Sequence, residues 1–226
     1  MSNLTLLIPA NKESESLPIF LNELNDYSYK KMVVLQDEDV ETLNAISNFK
    51  DVEIFMQKRK GYGSALKEGL KNINTEFFCI INADGSMDPK YLSEMLSLCQ
   101  KKDFVFASRY LKGGGSDDDT IITLIGNKCF SLIGNLLFNI NLSDILYTFI
   151  IGKTNSVKLL DLSYHDFRIC VEIPILAKMK NFNCISLPSK ERKRIAGFKK
   201  VNALIDGFLI LTAIIELFFR KIFKST

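Results

Sequence analysis

The stretch Cys79-Ile80-Ile81-Asn82-Ala83-Asp84-Gly85-Ser86-Met87-Asp88-Pro89 holds the residues best suited to chemistry. An apolar run delivers Asn82 and Asp84 to its carboxyl end, Gly85 permits a sharp turn, and Pro89 opens a helix. Oxygen ligands placed there suit a hard divalent cation that bridges the diphosphate of a nucleotide. Capping of the turn and of the next helix by Asp84 and Asp88 is the competing reading of the same residues. A second element, Lys58-Arg59-Lys60-Gly61-Tyr62-Gly63-Ser64-Ala65-Leu66, is a basic, glycine-bearing loop that leads into a helix, with Ser64 available as its N-cap. Exposed backbone N–H groups and the helix dipole favour an anion at such a place, and Arg59 or Lys60 adds charge. A solvated turn with surface cations is its plainer reading. It is not a Walker loop, because no Gly-Lys-Ser/Thr follows the glycines.

Cations that an anionic acceptor needs are scattered further along. Arg109 directly follows an apolar run, Lys128 is the single charge between Ile121 and Leu142, and Arg194 and Lys200 flank Gly197. A solitary charge such as Lys128 on an apolar helix must find water or a partner. The run Asp117-Asp118-Asp119 suits a helix N-terminus, and His165, in a polar linker, suits a surface or capping role.

The elements that must carry these residues fall into two regimes. Up to about residue 110, short apolar runs alternate with helical periodicity: Leu4–Ile8, Met32–Leu35, Val52–Met56, Phe77–Ile81 and Phe104–Ala107. Continuous apolar strands separated by helices predict a mostly parallel α/β sheet covered on both faces. Ligands of such sheets bind beyond the carboxyl ends of the strands, where Pro9, Asp37, the 58–63 loop, Asn82 to Asp88 and Arg109 stand. From Gly113 onward the pattern turns helical. Ile121 to Leu142 approaches the length of a membrane span, but Asn127, Lys128, Ser131 and Asn135 form a polar stripe, which predicts a helix packed on the domain or lying at a membrane surface. Gly207 to Ile215 is uncharged and is followed by Phe218, Phe219 and the cations Arg220, Lys221 and Lys224. This C-terminal helix reads either as core or as an interfacial helix held by Phe side chains and basic residues near anionic lipid.

Composition narrows the function classes. The 226 residues are 47% apolar and 24% charged, the balance of a folded domain, with a net charge of only +3, far less basic than a nucleic-acid binder. A single histidine excludes a His-rich zinc centre. Five cysteines without a CxxC pair, most of them in apolar runs, predict small buried hydrophobes in a reducing compartment. The N-terminus has neither basic flank nor secretory core, so a cytoplasmic protein is expected.

Taken in order, these elements resemble family 2 glycosyltransferases, in particular the polyprenyl-phosphate sugar synthase-like group that includes dolichyl-phosphate mannose synthases. Leu7-Ile8-Pro9-Ala10-Asn11-Lys12-Glu13 is similar to the family's opening segment, and Lys60-Gly61-Tyr62-Gly63-Ser64-Ala65 to its glycine loop. Asn82 to Pro89 resembles its metal motif, Ser108-Arg109-Tyr110 with Gly113-Gly114-Gly115 its SRY-GGG stretch, and Ser143-Asp144 its SD pair. Arg194, Gly197 and Lys200 are similar to its R-x-x-G-x-x-K tail. The resemblance implies a GT-A Rossmann-like domain over residues 1–200; the amphipathic helical part that follows, 201–226, keeps both its core and its membrane-interfacial readings. The resemblance also implies Mg²⁺ or Mn²⁺ at Asp84 and Asn82. A UDP- or GDP-linked nucleotide sugar would meet Pro9, Ala10, Glu13, Asp37, Lys60 and Gly63. On the acceptor side stand Arg109, Lys128, Arg194 and Lys200, and Asp144 is the candidate base if the acceptor is a hydroxyl. The implied reaction is an inverting transfer to a lipid-linked, polyprenyl phosphate or glycan acceptor in surface polysaccharide assembly, with peripheral membrane contact and no nucleic acid.

Departures from the family pattern are specific. Asn82 replaces an Asp, Asn11-Lys12 replace Tyr-Asn, Gln36-Asp37 replace a double Asp, and Tyr147-Thr148-Phe149-Ile150 depart from an SGF segment followed by Arg. They motivate the alternative of a non-catalytic, degenerate GT-A module that binds nucleotide or a partner enzyme.

Overall fold

Six residues of the first apolar run, Leu4–Pro9, are all buried, which only a central strand with both faces covered allows. This strand, β1, lies between β2 (Lys30–Leu35) and β4 (Phe77–Ile80), both parallel to it, and β3 (Val52–Met56) extends the sheet beyond β2. β5 is Phe104–Ser108. All five expected strands are present. The structure, a computed structural model, describes residues 3–224.

Two further strands complete the seven-stranded sheet, whose order is β3-β2-β1-β4-β7-β5-β8. β7 (Ile150–Lys153) enters antiparallel between β4 and β5, and β8 (Cys184–Pro188) runs parallel along the outer side of β5. A small parallel pair, β6 (Gly115–Ser116) with β9 (Lys190–Glu191), stands apart from the main sheet. The expectation of a mostly parallel sheet flanked by helices holds; β7 is its one antiparallel member.

Strand alternation sends side chains to two cores. Leu6 and Ile8 point to the face covered by α1 (Ser16–Glu23), α2 (Val40–Ile46) and α4 (Leu92–Cys99). Leu7 points to the other, covered by α3 (Tyr62–Asn72), α5 (Ile121–Phe138), α6 (Thr154–Lys158), α7 (Ile169–Met179) and α8 (Ile205–Lys224). Three of the cysteines, Cys79, Cys99 and Cys170, are buried as expected, whereas Cys129 is exposed on α5.

Of the two long apolar helices, α5 is built inside out. The polar stripe of α5 faces the protein: Asn135 holds both the N–H and the carbonyl of Leu142 (3.1 and 2.8 Å), Ser131 Oγ accepts from the Ile145 N–H, and Asn127 donates to the Tyr110 hydroxyl. Its apolar side, with Ile121, Ile125, Leu132 and Leu136, is exposed. Among the described residues α5 is the one helix long and apolar enough to cross a membrane. α8 docks Ile210, Ala213, Ile214 and Leu217 into the core at three- and four-residue spacing, each large side chain worth about 1.5–3 kcal/mol. Its opposite side exposes Leu204 just before the helix, then Ile205, Phe208, Phe219 and Phe223. The tail is thus both a core helix and a bearer of exposed apolar groups.

Candidate active site

The carboxyl ends of β1, β4 and β5 open onto one cavity of about 780 Å³. From β1 come Pro9, Ala10 and Glu13, from β4 Asn82 and Asp84, and from β5 Arg109. The Ala10 N–H donates to the Val34 carbonyl, and the Glu13 N–H to Thr42 Oγ1, so the chain after β1 is fixed by β2 and α2. Asp84 is tied into its turn, with Oδ1 accepting from the Ser86 N–H and hydroxyl (3.0 and 2.7 Å). Gly85 has φ +72°, and a Cβ there would meet Ile195 at 2.4 Å. Asn82 Oδ1 accepts from the Tyr62 hydroxyl at 3.2 Å.

A basic strap, residues 192–200, crosses this turn. The Arg192 N–H donates to the Ser86 carbonyl and the Ile195 N–H to that of Asp84, while the Arg192 guanidinium bridges the Gly85 carbonyl and Glu23. Arg194 pairs with Asp84 (3.4 Å) and Asp118 (3.0 Å), Lys199 pairs with Asp118, and Lys200 with Glu13. Burial pushes the Asp118 carboxyl up, but Arg194 and Lys199 outweigh it and hold its pKa below the ordinary value.

Arg109 is the centre of the opposite wall. Its Nε and Nη2 donate to the two oxygens of Asp144 (2.7 and 3.0 Å), and Nη1 lies 3.3 Å from Glu191 and 3.6 Å from Asp119. The rings of Tyr147 and Tyr110 lie 4.6 and 5.1 Å from the guanidinium carbon. Burial alone would lower the pKa of Arg109; Asp144 and Glu191 raise it well above its ordinary value, so the guanidinium stays charged.

A family model described as Glycosyl transferase family 2 matches residues 5–160, well over half of the chain. The chain belongs to that family. An uncharacterised glycosyltransferase of Mycobacterium tuberculosis is 32% identical over 95 residues, covering 40% of this chain and 43% of that protein. The dolichol-phosphate mannosyltransferase of Pyrococcus furiosus is 24% identical over 185 residues, 77% of this chain and 53% of its own length. The chain therefore spans about half the length of the curated relatives it matches. Among solved structures, glucosyl-3-phosphoglycerate synthase from Mycobacterium tuberculosis, in complex with Mn²⁺, UDP and glucosyl-3-phosphoglycerate, superposes with a TM-score of 0.71 at 11% identity, covering 95% of this chain and 79% of that one. The GT-A architecture expected from the sequence is the one this family 2 chain adopts.

Within this family 2 frame, the residues singled out from sequence divide into two groups. Pro9, Ala10, Glu13, Asn82, Asp84, Arg109, Arg194 and Lys200 line the cavity together. Asp37, Lys60, Gly63, Lys128 and Asp144 do not. Asp37 is exposed, while Asp39 caps α2 and accepts the Lys12 N–H at 2.6 Å. Lys60 is a surface side chain paired with Glu38. The glycine loop cradles protein: a Cβ on Gly61 would meet the His165 carbonyl oxygen at 2.2 Å, and one on Gly63 the 164–166 backbone at 2.7–2.8 Å. At the N-terminus of α3 that carbonyl accepts the Ser64 N–H. Lys128 is exposed, its ammonium 5.7 Å from the Tyr110 ring centroid. Asp144 is 1% exposed, is not among the residues that line the cavity, and has both oxygens on Arg109. Arg194 and Lys200 reach the metal-motif turn and Glu13 rather than the Arg109 wall.

Glu191, Tyr147 and Tyr62 also line the cavity, and sequence reasoning did not single them out. Glu191 lies in the run Lys190-Glu191-Arg192-Lys193, which reads as a solvated charge cluster. Only its place on β9, where Lys190 faces out and Glu191 in, turns it toward the site. That alternation over two residues is too short to read from a sequence.

Proposed function

We propose that the chain is a metal-dependent inverting glycosyltransferase that moves a sugar from a UDP- or GDP-linked donor to a lipid-linked or glycan acceptor at the cytoplasmic face of a membrane, in surface polysaccharide assembly. The observation that carries this reading is the convergence of Asp84, Glu13 and Asn82 with the cations Arg194, Lys199 and Lys200 in one strand-end cavity. Asp84 and Asn82 offer two oxygen donors, which fits a hard cation that completes its shell from a substrate diphosphate and water. Mg²⁺ or Mn²⁺ there supplies positive charge that stabilises the departing diphosphate. The chain's own part is to seat the nucleotide against Pro9, Ala10 and Glu13 and to add the strap's cations to the leaving group. It also holds the acceptor oxygen in line with the anomeric carbon. The dolichol phosphate in the name of the Pyrococcus furiosus relative supports a lipid-linked acceptor, and the UDP-glucose bound in a solved structure of similar fold supports the donor class.

Changing Asp84 to Ala removes the carboxylate without disturbing either core. Calorimetric titration with UDP and GDP, with and without Mn²⁺, is expected to show metal-dependent binding in the wild type and at least a tenfold loss in D84A, with donor consumption abolished. Equal metal-dependent affinity in both proteins would remove the metal role of Asp84.

Membrane contact of residues 201–226 is supported by the exposed Phe219 and Phe223 of α8 and by the exposed Leu132 and Leu136 of α5, the helix packed against it. Because α8 also fills the core, the clean test is not a truncation but F219E with F223E. Sedimentation with anionic liposomes is expected to fall severalfold in the double variant, and unchanged sedimentation counts against the interfacial role.

A further inference from the structure

Five carboxylates and four cations line the cavity, and each cation is already paired: Arg109 with Asp144, Arg194 with Asp84 and Asp118, Lys199 with Asp118, Lys200 with Glu13. Around Arg109 the imbalance is sharper. One guanidinium faces three carboxylates, Asp144, Glu191 and Asp119, all nearly or wholly buried. A phosphate brought to this wall would meet surplus negative charge at low dielectric, where like charges repel strongly. The wall suits a neutral acceptor.

Its carboxylates are not equivalent. Asp144 spends both oxygens on Arg109. Asp119 accepts the Tyr110 hydroxyl with one oxygen and the Thr123 hydroxyl with the other. Glu191 uses Oε2 for Ser116 and Arg109, whereas Oε1 receives no hydrogen bond from any described residue. The hydroxyl of Tyr147, buried in the wall of the same cavity, has no partner among the described residues. The Tyr147 ring lies 4.6 Å from the guanidinium carbon of Arg109, whose Nη1 lies 3.3 Å from Glu191. An acceptor oxygen lone pair and an unspent hydroxyl donor, gathered around one guanidinium in a single cavity, are the complement of an alcohol, which both donates and accepts.

We propose, on the footing of the glycosyltransferase reading, that Glu191 is the general base of this site and that the acceptor attacks through a neutral hydroxyl held by Tyr147, not through a phosphate. In the step, the acceptor O–H proton passes to Glu191 Oε1 as the acceptor oxygen bonds to the anomeric carbon. The bond from that carbon to the diphosphate oxygen breaks, and the nucleoside diphosphate leaves with the electron pair. Arg109 and Ser116 orient the carboxylate through Oε2. Burial pushes the Glu191 carboxyl above its ordinary value, and Asp119 adds to this, while Arg109 and Ser116 pull it down. The net rise makes it a better base at neutral pH.

The test is metal-dependent hydrolysis of UDP-glucose or GDP-mannose, whichever the wild type consumes faster, in which water is the attacking hydroxyl. Farnesyl phosphate serves as the anionic acceptor in a parallel arm. E191Q is expected to lose about a hundredfold or more in kcat, while calorimetric affinity for UDP with Mn²⁺ stays within twofold, which also shows that the variant is folded. E191D keeps the acid limb of the pH–rate profile and E191Q loses it. Farnesyl phosphate stays unglycosylated. Wild-type kcat in E191Q, or glycosylation of farnesyl phosphate faster than hydrolysis, overturns the assignment and leaves the transferase reading standing. Consumption of neither donor by the wild type overturns that reading, and this assignment with it.

Discussion

The two walls of the cavity are held together by opposite means. The wall made by β1, β2 and β4 is fixed by packing: its strands are buried on both faces, and its turns are tied to neighbouring strands by backbone hydrogen bonds. The wall made by Arg109, α5 and β9 is fixed by charge, with one buried arginine facing Asp144, Glu191 and Asp119. The strap is likewise held by charge, with Arg194 and Lys199 on Asp118. Packing and backbone hydrogen bonds fix the turns that carry Asp84 and Glu13. The ion pairs of the strap are the ones that an incoming diphosphate would compete for.

The largest effect expected from breaking this contrast is at Arg109. Replacing it by Met strands Asp144 without its counter-ion and should destabilise the protein by about 3–5 kcal/mol in urea unfolding. Adding Asp144→Leu to the same chain should recover much of that loss, since an apolar pair can replace a buried ion pair. A cycle with no coupling would show that the wall stands by packing after all.

Next comes the strap. Arg194 competes with any metal for Asp84 yet offers charge to a diphosphate. Arg194→Gln should therefore tighten binding of Mn²⁺ alone and weaken binding of UDP with Mn²⁺ by about tenfold, the order of one lost charge-assisted hydrogen bond. Calorimetry that moved both affinities in the same direction would place Arg194 on one side of that balance only.

The smallest effect is at the seam between the walls, where His165 Nδ1 and Ser64 Oγ share a hydrogen bond at the start of α3. Burial, then Lys67 and Arg59, lowers the imidazole pKa below 6.5. The fold thus disfavours the protonated ring. Its contribution is complete above pH 6.5 and declines as pH falls from there to the folded pKa. As the chain's only histidine, it gives a single imidazole resonance by NMR, and a midpoint at or above 6.5 would contradict this placement.

The packed wall was the legible one. Continuous apolar runs announce β1 to β5, and the residues that follow them fall at the strand ends by topology alone. β7 was hidden because Ile150-Ile151-Gly152 is a brief run after a long helical excursion, and β8 because its outer residues are only half-buried. The glycine loop was misleading for a physical reason. Glycines that let a phosphate approach the backbone equally let another backbone approach, and here the 164–166 segment fills that space. Charge networks are the hardest to foresee. Asp144, Lys128 and Arg194 were each noticed as charges, but which carboxylate keeps an oxygen unspent depends on the partners that the fold assembles around Arg109.

The placement of β7 has its own consequence. Phe106 on β5 and Ile150 on β7 are cross-strand partners, so the chain leaves the sheet for α5 and comes back to the point of departure. Everything between behaves as a cassette plugged into one socket. Its length and composition can change with only a slow rise in loop-closure cost, and no strand need change register. A chain built this way can acquire a new acceptor by exchanging that insert while the nucleotide end of the molecule stays as it was.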